Sequence, residues 1–149
     1  MNYKRELISL IVDMSKTLRC CQQDAEFCEK ITLNQFYILD LIAKEKQLKL
    51  SDLHELLAVE KSTTTRLVEP LVQLQLITRE KSSEDSRALE LKLTSGGERT
   101  HEIVWRHLEE FISSVEANIP EGRTDEVYEA VEMFLKAIKS ACKTGSSNK

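Results

Sequence analysis

The stretch SDLHELLAVEKSTTTRLVEPLVQLQLITREKSSEDSRALELKLT, from Ser51 to Thr94, changes its apolar period part-way along, and that change decides the fold. In its first half Leu53, Leu56 and Leu57 make one apolar stripe at helical spacing, and Leu67, Val68, Leu71 and Leu74 make another. Ser51 reads as the N-cap of the first helix, with Glu55 at roughly capping distance, and that helix ends near Ala58. The second opens on a polar turn: Lys61, Ser62, Thr63, Thr64, Thr65, Arg66. Two short helices joined by a tight turn make a helix-turn-helix. From Ile77 the period drops to two. Ile77 to Lys81 reads as a strand, and Leu89, Leu91 and Leu93 alternate with Glu90, Lys92 and Thr94. The polar linker Ser82 to Ala88 joins these strands as a hairpin, and a hairpin directly behind a helix-turn-helix is a wing.

Working outward, Leu7, Ile8, Leu10, Ile11, Met14 and Leu18 recur at helical spacing, which predicts a long amphipathic helix from Tyr3 to about Lys30. Thr32 with Gln35 three residues on is a capping box for a second helix reaching about Glu45, and residues 44–49 read as a polar connector. Beyond the hairpin, Gly96 and Gly97 allow a change of direction. Val104, Leu108, Phe111, Ile112 and Val115 then mark a long helix, which Pro120-Glu-Gly122 breaks. A last helix runs from about Thr124 to Cys142, and residues 143–149 are a frayed tail. The fold class is mainly α with a small β-hairpin wing. Residues 1–149 form one domain, with a winged helix-turn-helix at 32–98 between flanking helices at 1–30 and 100–142. Leu7, Ile11, Met14 and Leu18 in the first helix, with Val131, Phe134, Leu135 and Ile138 in the last, are more apolar surface than so small a domain can cover. They predict an obligate homodimer.

Composition agrees. A chain of 149 residues with 41% hydrophobic residues can bury a core, and four Gly with two Pro favour helices. Net charge is −4, yet residues 44–106 balance acids and cations, so any polyanion must be held by a few placed cations rather than a broad basic field. The longest apolar run, Leu7 to Val12, is broken by Ser9 and far too short to span a membrane, and no cleavage site follows it; the expected location is the cytoplasm. None of the four cysteines forms a Cys-x-x-Cys pair, and His54, His101 and His107 show no metal spacing. With no Ser/His/Asp set, glycine-rich phosphate loop or convergent carboxylates, the sequence predicts neither an enzyme nor a cofactor or metal site.

The leading turn Lys61 to Arg66 carries the function. A helix entering the major groove presents its N-terminal residues to base edges while its free N–H groups favour phosphates. Short hydroxyls pack close to bases, and Arg66 can reach guanine or a phosphate. A run of hydroxyls can equally do no more than cap a helix. Arg87 at the wing tip suits a narrow minor groove, with Asp85 holding the turn, whereas Lys81 on the strand reaches phosphates only; Ser51 completes the candidate DNA contacts.

Thr32-Leu-Asn-Gln-Phe36, Lys61-Ser-Thr-Thr-Thr-Arg-Leu-Val68 and Asp85-Ser-Arg-Ala-Leu-Glu-Leu-Lys-Leu-Thr94 followed by Gly97 resemble, in order and spacing, the signatures of the MarR family across nearly the whole chain. The resemblance implies a homodimeric, sequence-specific regulator of transcription, mostly a repressor released by a ligand or oxidant, on a palindromic duplex. It makes the first and last helices a dimerisation lobe, and Lys61 to Arg66 the start of the recognition helix. It also suggests a small aromatic effector near Phe36, Tyr37 and Trp105, where core packing is the alternative use of those rings. Cys142 would approach Cys20, Cys21 and Cys28 across the dimer, as a thiol switch or as inert thiols. The chain departs from the family pattern at Ser86, where a wing arginine is usual, at Pro70 within the recognition helix, where a bend is expected, and at Gln75, where a turn glycine is common. The competing reading is a winged-helix protein-interaction module without DNA binding.

Overall fold

The computed structural model describes residues 3–23 and 30–145. The elements in order are α1 (Tyr3–Gln23), α2 (Leu33–Glu45), β1 (Leu48–Lys49), α3 (Leu50–Leu57), α4 (Lys61–Gln73), β2 (Ile77–Lys81), β3 (Leu89–Leu93), α5 (Ser95–Glu116) and α6 (Thr124–Gly145). They fall into two compact units, one ending at His107 and the other starting at Leu108.

In the first unit the local signals hold where they are strongest. Thr32 Oγ1 accepts from the Gln35 backbone N–H at 3.2 Å, Gln35 Oε1 accepts from the Thr32 N–H at 2.9 Å, and α2 starts one residue later. That helix buries Phe36, Ile38, Leu39 and Ile42 against Leu53 of α3, Val68 and Leu71 of α4, Leu91 of β3 and Val104 of α5, which together make the core. β2 and β3 pair antiparallel from Ile77 opposite Leu93 to Lys81 opposite Leu89, so both strands span the predicted residues.

Elsewhere the structure corrects the sequence. Part of the polar connector is a strand: β1 pairs with β3, Leu48 opposite Leu91 and Lys49 opposite Glu90, giving a sheet in the order β1-β3-β2. Because that pairing fixes the chain through Lys49, α3 begins immediately at Leu50. Lys49 is its N-cap, without a side-chain bond, and Ser51 sits inside the helix with its hydroxyl on Asp52 Oδ1. Leu56 and Leu74, expected inside, are exposed. The alternation in β3 is imperfect too: this strand is the middle one, with Lys49 and Glu80 beside Glu90 on its two edges, and Glu90 is buried. Pro70 lies inside α4, as its place in the sequence implies, and the helix continues to Gln73, with Leu74 N–H bonded to Pro70 O. Gln75 then takes a left-handed φ of 57°, the conformation a glycine would supply at no steric cost. Lys30 lies in a turn, also at positive φ, rather than in a helix.

α2 and α5 are tied by a polar contact. Asp40 is nearly buried and accepts from Lys44 Nζ at 2.6 Å, with His101 Nε2 at 3.1 Å from its other oxygen. Burial pushes the Asp40 carboxyl up, but the bonds to Lys44 and His101 outweigh it and hold it below the ordinary carboxylate value. A carboxyl depressed in the folded state adds stability above its unfolded value and loses it as pH falls through the folded one. Asp40→Asn should therefore melt earlier than the unchanged protein at pH 7, by about 1 kcal/mol. Thermal scans should show that gap closing below about pH 4, and a gap independent of pH would contradict the ionised contact.

In the second unit, Arg123 N–H bonds to Pro120 O and Gly122 has a φ of 76°, turning the chain between the end of α5 and α6. Tyr128 donates to Glu116 Oε1 at 2.9 Å, and this bond raises the phenol above its usual value. Along α6, Val127, Val131, Leu135 and Ile138 are exposed. Among the described residues no helix is long and apolar enough to cross a membrane.

Candidate nucleic-acid interface

α4 opens on Lys61 because Ala58 adopts a left-handed φ of 50° and turns the chain sharply out of α3. Its N-cap, Glu60, makes no side-chain bond; its carbonyl instead accepts from the N–H groups of Thr63 and Thr64 at 2.9 and 3.1 Å. Of the leading turn, Lys61, Ser62, Thr65 and Arg66 are exposed and Thr63 is half-buried. Thr65 Oγ1 donates to Lys61 O at 3.0 Å, within its own helix.

Thr64 departs from expectation. It is 1% exposed, with Oγ1 at 3.3 Å from Nδ1 of His54 in α3, so its side chain is turned toward α3 rather than out to solvent. Hydroxyls look alike in a sequence; only the packing of α4 on α3 separates the inward one.

The wing tip is held by its own bonds rather than left loose. Ser82 N–H reaches Ala88 O, Ala88 N–H reaches Asp85 O, and Asp85 Oδ1 accepts the Arg87 N–H at 2.9 Å. Asp85 thus binds the Arg87 backbone. Arg79 is paired with Glu69 at 2.8 Å and Lys92 with Glu80 at 3.2 Å. Among the described residues, Lys61, Arg66, Lys81 and Arg87 make no ion pair, and all four are exposed.

Between α3, α4 and the wing lies a cleft of about 430 Å³. It gathers Ser51, Lys61, Thr64, Thr65 and Arg87 of the predicted contacts, with His54 and Glu55 from α3. Ser62, Thr63, Arg66, Lys81 and Asp85 do not line it. His54 had no sequence signal, being a lone histidine ten residues from its partner. Elsewhere in this unit, the rings of Phe36, His101 and Trp105 lie 5.4 to 6.2 Å apart, so His101 shares the space between the expected pair while Tyr37 is exposed. Cys142 is exposed on α6; the side chains of Cys20 and Cys21, and Cys28 altogether, lie outside the described residues.

The MarR family model matches residues 31–89, from the residue before the α2 capping box to the first residue of β3. The HTH-type transcriptional regulator SAS2155 of Staphylococcus aureus is 31% identical over 110 residues, covering 72% of this chain and 75% of that protein. The chain belongs to the MarR family. Members are DNA-binding regulators of transcription and not enzymes. Solved MarR-type structures share its fold. FabT of Streptococcus pneumoniae, in complex with DNA, superposes with a TM-score of 0.78 at 18% identity, over 94% of this chain and 99% of that one. MarR of Staphylococcus aureus, in complex with salicylate and kanamycin, gives 0.77 at 24%, over 93% of each.

Proposed function

We propose that this MarR-family chain is a homodimeric repressor that reads a palindromic duplex with the exposed residues of the first turns of α4 and grips the flanking minor groove with Arg87. The observation that carries this reading is the arrangement of four unpaired cations on one functional set of elements: Lys61 and Arg66 on α4, Lys81 on β2 and Arg87 on the wing. In a chain of net charge −4 these are the cations of α4 and the hairpin left to meet phosphate, since Arg79 and Lys92 are already neutralised. The uncapped start of α4 adds backbone N–H groups on the same side as a phosphate donor set. Solution of the FabT fold with DNA supports the same use of this scaffold. A ligand or oxidant that releases the DNA completes the proposed cycle.

The test is binding to a duplex selected from a random-sequence library, with a scrambled duplex alongside. Arg66→Ala should lose on the order of 1–3 kcal/mol on the selected duplex and little on the scrambled one. Lys81→Ala should weaken both equally and flatten the salt slope by about one unit. Arg87→Ala should cost most with A·T-rich flanks, because Ser86 leaves no second wing cation beside it. Unchanged affinity in all three would transfer the protein to the interaction-module reading.

A further inference from the structure

Leu53, Val68 and Leu71 pack α3 against α4 through apolar contact, which is non-directional and leaves the rotation of α4 about its own axis loosely set. A hydrogen bond is directional. Thr64 and His54 supply one, 3.3 Å long, between the two helices, within the helix-turn-helix itself. We propose that His54 is a positioning residue for DNA reading: through Thr64 it fixes the rotation at which Lys61, Ser62, Thr65 and Arg66 face outward. This rests on the assignment of α4 as the reading helix.

Three observations support it. Thr64 is 1% exposed, so its hydroxyl must find a partner inside the protein. The usual partner of a helical threonine, the carbonyl four residues back, is the one Thr65 takes. For Thr64 that carbonyl belongs to Glu60, which already accepts from both Thr63 N–H and Thr64 N–H. A carbonyl oxygen has two lone pairs, so the hydroxyl is turned across to α3. The histidine ring meets it at the edge of the cleft that Lys61 and Arg87 also line, so the bond sits directly beneath the surface it aligns. A threonine hydroxyl can donate or accept, and either tautomer of His54 makes the contact.

The experiment compares affinity for the selected duplex, affinity for a scrambled duplex and melting temperature in Thr64→Val, His54→Ala, His54→Asn, the double variant His54→Ala/Thr64→Val, and Arg66→Ala. Valine is isosteric with threonine and suits the buried site, so Thr64→Val should melt no earlier than the unchanged protein. It should nevertheless bind the selected duplex on the order of tenfold more weakly, the effect of one lost hydrogen bond in each of two protomers, with the scrambled duplex unaffected. His54→Ala should match it, and the double variant should be no worse than either single one. His54→Asn places an amide where Nδ1 stands and should recover most of the affinity. Additive losses in the double variant, no recovery in His54→Asn, or affinity that simply follows melting temperature would overturn the proposal. Weakening by Arg66→Ala without any effect of the His54 and Thr64 variants would reject the positioning role alone, and no effect of Arg66→Ala would reject the reading helix and the role with it.

Discussion

Replacing Gly97 with alanine is expected to be the most destabilising conservative change in the first unit, costing about 3 kcal/mol or more. A Cβ on Gly97 would stand 1.9 Å from the backbone oxygen of Leu76 and 2.9 Å from its carbonyl carbon. Neither atom can swing aside as the end of a side chain would. Leu76 O accepts the Thr94 N–H at 3.0 Å, and Thr94 Oγ1 in turn donates to Gln75 O at 2.6 Å and accepts the Gly97 N–H at 2.9 Å. The end of β3, the start of α5 and the turn before β2 are thus bound into one knot, and Gly97 is the point where two backbones touch. Its neighbour makes the control. A Cβ on Gly96 would meet Thr94 Oγ1 at 3.5 Å, an ordinary contact, and alanine would gain helix propensity, so Gly96→Ala should be neutral or mildly stabilising. Equal denaturation midpoints for the two variants would show that α5 does not approach Leu76 as closely as described. At the sequence level both glycines read only as a change of direction; which one is indispensable depends on a contact with Leu76, 21 residues back in the chain.

That dependence on distance separates what was legible from what was not. The capping box of Thr32 and Gln35 lies within four residues, and α2 starts where it says. The period-two runs at Ile77 and Leu89 mark where β2 and β3 lie, each a local pattern of five residues, although burial does not follow the alternation: Glu90 and Leu91 are adjacent and both buried. β1 is two residues long and exists only because Leu91 and Glu90 lie beside it, so no local pattern announces it. Ser51 was misplaced for the same reason: the chain needs no cap residue where a strand already holds it. In the candidate site, charge and helix polarity pointed to Lys61, Arg66 and Arg87, which are all exposed. Thr64 and His54 were invisible as a pair, since each acquires meaning only from the packing of α3 on α4.

Leu135→Glu is expected to abolish both dimer formation and DNA binding while leaving the first unit folded. Along α6, Val127, Val131, Leu135 and Ile138 follow one another at four, four and three residues, which places them on a single stripe, and each is 39–49% exposed. On α1, Leu7, Ile11 and Met14 repeat the pattern with similar exposure. In the proposed homodimer these stripes are covered by an isologous contact with a second copy, which buries the same residues on both chains at once. A single substitution then enters the interface twice. A glutamate held there against apolar neighbours loses its hydration without gaining a partner, a penalty of several kcal/mol per chain. Dissociation at micromolar concentration should follow, read by sedimentation. DNA binding falls with it, because a palindromic duplex needs two α4 helices about one helical turn apart. Glu129→Gln, a change on α6 outside that stripe, should alter neither. A Leu135→Glu protein that stays dimeric and binds the selected duplex normally would place the interface away from this stripe and remove α6 from the dimer.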